Sequence, residues 1–182
     1  TVYAAEELQG SGTAEDPYII EDAEDLWTFA NMLRGSTSHL SDCAKIADGV
    51  TMIDVSDEMW QGIPSNMTMP DGYRGTFDGN GATIKLTMAK NNDYQVGFFN
   101  TLDAGGVIKN VTIDGSVSGN YDVGGVCGRN EGTIIDCNNK ADVSGKNDRV
   151  GGIAGSCMDG GKLSVSKTMS NNSVFIHIIT NK

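Results

Sequence analysis

The sequence predicts an all-β fold in which short strands coil into a parallel β-helix (a β-solenoid), with an α-helix capping its N-terminal end. The main observation is a repeat, because the boxes V-G-F-F, V-G-G-V-C-G and V-G-G-I-A-G begin at Val96, Val123 and Val150, each 27 residues after the last. The 24 glycines, with many Asn, Asp, Ser and Thr residues, are typical of a chain that turns often. Short apolar alternation within each unit indicates strands with one buried face.

The strands of each unit are short. Ile84, Leu86 and Met88 alternate with polar residues, which predicts one inward face. Val123 and Val126 are separated by a Gly pair that can bulge or bend the strand, so that both side chains point inward. One unit cannot bury its apolar side alone, but stacked units form a continuous core. Helical repeats of similar period are disfavoured, because the Gly, Asn and β-branched residues of this region are unfavourable in helix interiors.

Polar corners join the strands. Ile108 and Val111 lie three positions apart, and a straight strand cannot direct both side chains inward. We therefore expect a bend at Asn110, and Asp136 occupies the matching place in the next unit. Asn and Asp suit such corners because they tolerate left-handed backbone angles and bond to their own main chain.

The N-terminal region contains one strong helix candidate, at residues 22–34. Asp22 suits the N-cap and Gly35 suits the end of the helix. The apolar positions that share one helix face are Leu26, Phe29, Ala30 and Leu33. A helix across the open end of a repeat stack would cover its exposed strand edges. We divide the chain into a cap region with irregular strands at 1–74 and β-helix coils at 75–182.

Charge and hydropathy restrict the partners. The 13 Lys and Arg residues against 24 Asp and Glu residues give a net charge of −11, which disfavours nucleic acid and anionic lipid surfaces. No apolar run reaches the ~20 residues needed to cross a bilayer, so we expect no membrane insertion. Small residues around Ala4 are compatible with the remnant of a signal-peptide cleavage site. These features favour an extracellular protein.

The four cysteines leave several interpretations open. They are Cys43, Cys127, Cys137 and Cys157. Two disulfides could form, and their pairing cannot be deduced from the spacing. No C-x-x-C pair is present, and His39 and His177 are distant in sequence, so we expect no metal at these thiols and favour buried small apolar side chains. Calcium remains open, since the polar corners offer oxygen ligands but no EF-hand loop occurs.

A family resemblance rests on the segments GSGTAEDPYIIEDAEDLWTFANML, RGTFDGNGATI and GGVIKNVTIDGSVSG, together with the V-G-G-x-x-G boxes. Over roughly residues 10–158 the chain resembles bacterial surface proteins that carry GLUG-motif repeats. The resemblance implies a right-handed β-helix within a longer secreted or wall-anchored chain, and roles in adhesion or carbohydrate contact. The first box departs from the later ones, with Phe98 and Phe99 after Gly97, and the last unit has no further box after it.

A search for catalytic chemistry finds no recognisable constellation. Most acidic residues lie in turn-type sequence such as Asp78-Gly79, which explains them without catalysis. A polysaccharide lyase would need a basic residue, and Arg74, Arg129 and Arg149 are candidates that the sequence does not place on one face. Neither a G-x-S-x-G elbow nor a phosphate-binding loop occurs, so we expect no cofactor.

Four aromatic residues in turn-like sequence are the ligand-binding candidates. They are Trp60, Tyr73, Tyr94 and Tyr121, whose rings could stack on sugars if they are exposed. The alternative is that Trp60 packs under a loop and the tyrosines cover coil edges. The leading hypothesis is a non-enzymatic adhesion or binding module that contacts glycans, host matrix or host surface proteins. The alternatives are a carbohydrate-active β-helix enzyme, and a structural spacer of a larger surface protein.

Overall fold

The computed structural model describes residues 7–63, 71–90, 92–164, 166–170 and 173–177. Over these residues the protein is mostly β-structure with one α-helix. The strands in chain order are β1 (Tyr18–Ile20), β2 (Ala44–Ile46), β3 (Met52–Met59), β4 (Thr76–Asp78), β5 (Thr83–Ala89), β6 (Tyr94–Val96), β7 (Phe99–Leu102), β8 (Val107–Lys109), β9 (Thr112–Gly119), β10 (Tyr121–Gly124), β11 (Cys127–Asn130), β12 (Thr133–Ile135), β13 (Asn138–Asn139), β14 (Asp142–Gly145), β15 (Val150–Gly151), β16 (Ala154–Cys157), β17 (Lys162–Ser164), β18 (Ser166–Ser170) and β19 (Ser173–His177).

Successive strands join four sheets of the described structure in a recurring order. Sheet A contains β1, β2, β4, β8, β12 and β17, and sheet B contains β3, β5, β9, β13, β14, β18 and β19. Sheet C contains β7, β11 and β16, and sheet D contains β6, β10 and β15. From β4 onwards the chain passes through sheets A, B, D and C and then returns to sheet A. Among the described strands, only the pair β18 and β19 is antiparallel.

The repeated sequence boxes pair with one another in register. In sheet D, Val123 pairs with Val96 on one side and with Val150 on the other. In sheet A, Ile134 pairs with Ile108. Because parallel neighbours in register lie about 4.8 Å apart, each apolar position covers the same position of the previous unit. The repeat in the sequence is therefore a repeat in space.

The polar corners have the backbone that the sequence predicts. Asn110 has φ 55° and Asp136 has φ 52°, which confirms the expected left-handed bends. Asn80, in the preceding coil, has φ 50°. The Asn110 side chain also donates a hydrogen bond through Nδ2 to Oδ1 of Asp78 at 3.1 Å, so the corner is tied to the coil before it.

The inward face of sheet B forms a large part of the core. Ile84, Leu86 and Met88 of β5 are buried, which confirms the predicted alternation. Ile113 of β9 pairs with Ile84 and is also buried. Opposite Leu86 the next coil has Gly115 at φ 102°, where an added Cβ would lie 2.1 Å from the Leu86 carbonyl oxygen. Only glycine fits this close approach.

The helix α1 spans Ala23–Gly35 and packs on the interior through its apolar face. The side chain of Asp22, the N-cap, accepts hydrogen bonds from two backbone N–H groups of the first turn. The predicted apolar positions Leu26, Phe29, Ala30 and Leu33 are all buried. The Phe29 ring contacts that of Phe77 at 6.3 Å between centroids, so the helix lies against sheet A. A 3-10 helix, Thr37–His39, follows.

Candidate binding surface

Tyr94 and Tyr121 form a stacked pair on two neighbouring coils, which we call the tyrosine step. Tyr121 of β10 pairs with Tyr94 of β6 in parallel register. Their ring centroids are 5.1 Å apart and the ring planes differ by 1°. This distance is close to the strand spacing, because residues 27 positions apart occupy equivalent places in the two coils. Register alone therefore brings the two rings together.

Tyr94 remains exposed although its ring stacks on Tyr121. The Tyr94 ring contacts the ring of Tyr121 in the next coil, yet Tyr94 is 56% exposed. Tyr121 is half-buried. Tyr94 therefore keeps more than half of its surface exposed, and its side chain combines an apolar ring with a phenolic hydroxyl. Such a surface accepts another flat, partly apolar group.

A row of left-handed residues lies immediately after Tyr94, after Tyr121 and after Asp148, the equivalent residue of the third unit. Gln95 has φ 53°, Asp122 has φ 48° and Arg149 has φ 67°. Non-glycine residues rarely adopt these angles, and here they recur in three successive coils. The Asp122 carboxylate is buried, and its Oδ1 lies 2.7 Å from Nε of Arg149. Pairing of this kind compensates the cost of burying a charge.

Polar groups flank the tyrosine step. Asn147 donates a hydrogen bond through Nδ2 to Oδ1 of Asn120, the residue before Tyr121. Before Tyr94, Lys90 and Asp93 form an ion pair at 3.3 Å. In the third coil the equivalent of the tyrosines is the exposed Asp148, since Val150 pairs with Val123. The aromatic surface is therefore two coils wide, with amides and paired charges at its borders.

Trp60 and Tyr73 are not at the surface, so the hypothesis that they are exposed ligand-binding aromatics is wrong. Trp60 is fully buried and stacks on Phe98 at 5.5 Å. Tyr73 is fully buried as well, and its hydroxyl donates a hydrogen bond to the Asp42 carbonyl oxygen at 2.8 Å. Burial raises the pKa of the Tyr73 phenol well above its ordinary value. Trp27 and Phe29 of the docked helix contact the rings of Trp60 and Tyr73, respectively.

A cation packed on aromatic rings was missed by the sequence analysis. The guanidinium of Arg34, in the last turn of α1, lies 5.4 Å from the Trp27 ring centroid and 5.6 Å from that of Trp60. Its Nη2 donates a hydrogen bond to the Gly62 carbonyl oxygen at 3.1 Å. Burial lowers the pKa of Arg34 to about 10. These contacts fasten the helix to the stack, and the sequence signal was the basic residue at the helix end.

The basic residues considered for catalysis occupy separate places and have acidic partners. Arg74 lies 3.6 Å from a carboxylate oxygen of Asp103 and at the same distance from Asp71. Arg129, in sheet C, pairs with Glu131. Arg149 pairs with Asp122 at the sheet D corner. The described structure does not bring these three cations into one groove.

The cysteines are free thiols in the described structure. Cys43, Cys127 and Cys137 are buried, whereas Cys157 is exposed. Burial raises the pKa of Cys127 strongly and that of Cys137 to about 12, so both remain protonated. Among the described residues no group of three or more His, Cys, Asp and Glu side chains has the arrangement of a metal site.

Comparison with known proteins addresses the family. Residues 119–144 match the GLUG motif. The predicted family resemblance is thereby confirmed, and the matched segment includes Tyr121 of the tyrosine step.

The chain also resembles Halomucin from Haloquadratum walsbyi, with 34% identity over 169 residues, or 90% of this chain. The chain spans only 2% of the length of that relative. No solved structure matches the chain. The described part contains no helix with the length and apolar character needed to span a bilayer.

Proposed function

We propose that this chain is a non-enzymatic binding module of a secreted or surface-associated protein, and that it contacts glycans through the tyrosine step. The single observation that carries the proposal is the parallel stack of Tyr94 on Tyr121, with Tyr94 56% exposed. The rings of pyranose sugars present flat C–H faces, and aromatic faces bury such surfaces while their polar tips remain in water. Host-matrix and surface proteins that carry glycans are the corresponding partners.

The proposal includes a right-handed parallel β-helix as the scaffold. Its support is the recurring passage of the chain through sheets A, B, D and C, with parallel pairing between successive coils. A stack of this kind supplies a rigid extended surface without an assembled catalytic centre. A crystal structure should show one closed, right-handed turn for each repeat, and a two-layer antiparallel arrangement would refute the scaffold.

Extracellular or surface location is supported by the GLUG motif and by the likeness to Halomucin. The net charge of −11 disfavours nucleic acids and anionic membranes as partners. The small-residue opening around Ala4, which the sequence analysis related to export, lies outside the described residues. Fractionation of the native host with an antibody against this chain tests the location, and purely cytoplasmic signal would contradict it.

The binding test compares three proteins on a glycan array and in polysaccharide pull-downs. We expect the wild type to bind and Tyr94→Ala to lose at least about tenfold in affinity, equivalent to roughly 1.4 kcal/mol. Met52→Ala is the matched control, because Met52 is a large apolar residue of similar exposure (55%) on another sheet. Its binding should equal that of the wild type. Circular dichroism must show that all three proteins are folded.

The other outcomes identify the alternative functions. Release of sugar products from a bound polysaccharide would indicate a carbohydrate-active enzyme and contradict a non-enzymatic role. Blank arrays and blank host-matrix screens with folded wild-type protein would indicate a spacer. Equal binding by Tyr94→Ala and the wild type would show that the binding site lies outside the tyrosine step.

A further inference from the structure

We propose that a cavity beside sheet A is a second sugar-binding site, which takes a single sugar unit. The cavity lies between the outer face of sheet A and the loop at residues 10–17, which we call the N-terminal loop. Its volume is about 360 Å³. Pockets for small ligands have volumes of this order. The site is on a different sheet from the tyrosine step, so it goes beyond the proposed function and does not depend on it.

The N-terminal loop supplies the apolar lining, through Ala14 and Pro17. Backbone contacts fix the position of this loop. The Gly12 carbonyl oxygen accepts a hydrogen bond from the backbone N–H of Cys43 at 2.7 Å. Gly12 has φ 74°, and an added Cβ would lie 2.5 Å from the ring of Tyr18, so only glycine fits there. The apolar wall is therefore held in place before any ligand binds.

Outward-facing residues of three neighbouring strands supply the polar lining. Lys45 of β2 pairs in register with Asp78 of β4, which pairs with Lys109 of β8. Thr76 faces the same side of β4 as Asp78, because the residue between them, Phe77, is buried in the core. Since neighbouring strands lie about 4.8 Å apart, the two lysines are separated by roughly 10 Å along the outer face of the sheet.

These polar groups retain unused hydrogen-bonding capacity. The ammonium group of Lys45 lies 2.7 Å from Asp48, and that of Lys109 lies 3.1 Å from Asp78. An ammonium group has three N–H donors, so each can donate further hydrogen bonds beyond its ion pair. The Thr76 hydroxyl has no hydrogen-bond partner among the described residues, and it can both donate and accept.

A sugar ring has the chemistry that this cavity requires. The C–H groups of its apolar face can pack against Ala14 and Pro17, while its hydroxyls donate and accept hydrogen bonds. The neighbouring ammonium of Lys109 and carboxylate of Asp78 offer a donor and an acceptor to adjacent hydroxyls. Hydrogen bonds to charged groups are stronger than those between neutral groups, which favours binding of an uncharged polyol.

The charges around the cavity are accounted for. Each lining ammonium has one carboxylate partner, so the ion pairs carry no net charge. Glu15 and Asp16 are exposed in the N-terminal loop but do not line the cavity. Asp42, next to the lining residues, lies 2.7 Å from Nδ1 of His39. Recognition at this site therefore depends on hydrogen bonds and on the apolar wall, and not on net charge.

The test is a titration of the protein with methyl glycosides of glucose, galactose, mannose and N-acetylglucosamine, followed by backbone amide shifts in NMR spectra. We expect at least one glycoside to shift the signals of Thr76 and Lys109, with a Kd of about 1 mM. Thr76→Val should weaken this binding at least about fivefold, because it replaces the hydroxyl by a methyl group of similar size. Thr133→Val is the matched control, because Thr133 is a half-buried residue of the same outward row outside the cavity. Its affinity should equal that of the wild type.

A second pair of variants tests the ammonium donor. Lys109→Gln should weaken binding at least about threefold, since a charged donor is replaced by a neutral one. Lys162→Gln, at an exposed position of β17 in the same sheet, should leave it unchanged. The amide spectra also show whether each variant is folded.

The outcomes separate this site from the tyrosine step. Tyr94→Ala should keep the shifts at Thr76, because Tyr94 belongs to sheet D. The inference is overturned if no glycoside shifts the cavity signals of the folded wild type, or if Thr76→Val binds as tightly as the wild type. Either result would leave the proposed binding at the tyrosine step unaffected. Conversely, failure of glycan binding at Tyr94 would not remove the shifts at Thr76.

Discussion

The indole Nε1 of Trp60 donates a hydrogen bond to the carbonyl oxygen of Phe98, 3.1 Å away. The same indole stacks on the Phe98 ring and contacts Trp27 of the helix at 4.6 Å between centroids. Trp60 therefore joins the capping helix to the first repeat box. The packing of α1 therefore depends on the position of Phe98 through Trp60.

Replacing Trp60 should be among the most destabilising changes in the chain. We expect Trp60→Ala to lower the free energy of unfolding by about 3–5 kcal/mol, because it removes a fully buried large ring and leaves a cavity. Urea unfolding followed by circular dichroism measures the change. Met52→Ala, at an exposed position, should stay within about 0.5 kcal/mol of the wild type. A similar small effect for Trp60→Ala would show that the cap does not dock as described.

Asn110 tests the left-handed corner. Asn110→Ala should destabilise the protein by about 1–2 kcal/mol, because alanine tolerates φ 55° poorly and the bond to Asp78 is lost. Asn110→Gly also removes the hydrogen bond to Asp78, but glycine adopts φ 55° without strain. We therefore expect a smaller loss of unfolding free energy than for Asn110→Ala. Thermal and urea unfolding distinguish the two variants. Equal losses would mean that the hydrogen bond, and not the backbone angle, determines the effect.

The Asp54 carboxyl predicts a specific acid dependence. Hydrogen bonds from the Ser56 side chain and backbone, and then from Lys85, lower its pKa from 3.8 to about 2. Because the folded-state pKa is depressed, the stabilising contribution is complete above the ordinary value and is lost as the pH falls towards 2. Carboxyl chemical shifts measured by NMR should place the titration near pH 2, and Ser56→Ala should raise it. An unchanged titration in Ser56→Ala would contradict this cause.

Thiol reactivity should separate Cys157 from the other cysteines. In the native protein we expect one rapidly labelled thiol with an aromatic disulfide reagent at mildly alkaline pH, because Cys157 is exposed while the other three are buried. Cys157→Ser should abolish the fast phase. In the denatured wild type, all four thiols should react with the reagent. A fast phase that persists in Cys157→Ser would show that a buried cysteine becomes accessible.

Several features followed from local sequence. The helix predicted at 22–34 corresponds to α1 at Ala23–Gly35, because the Asp22 cap and the apolar periodicity are local signals. The bend at Asn110 followed from a spacing of three between apolar residues, which a straight strand cannot accommodate. The ladder Val96, Val123 and Val150 followed from the repeat itself.

The exposure of the aromatic residues was not a local property. The sequence by itself determined a chain of 27-residue units, and hence that Tyr94 and Tyr121 occupy equivalent positions. Only the tertiary structure decided that this pair remains at the surface while Trp60 and Tyr73 lie inside. Those two residues belong to the aperiodic region before the first box, where no pattern marks an inner face. Their burial depends on where the helix and distant coils pack against them, which is a long-range contact that neighbouring residues do not encode.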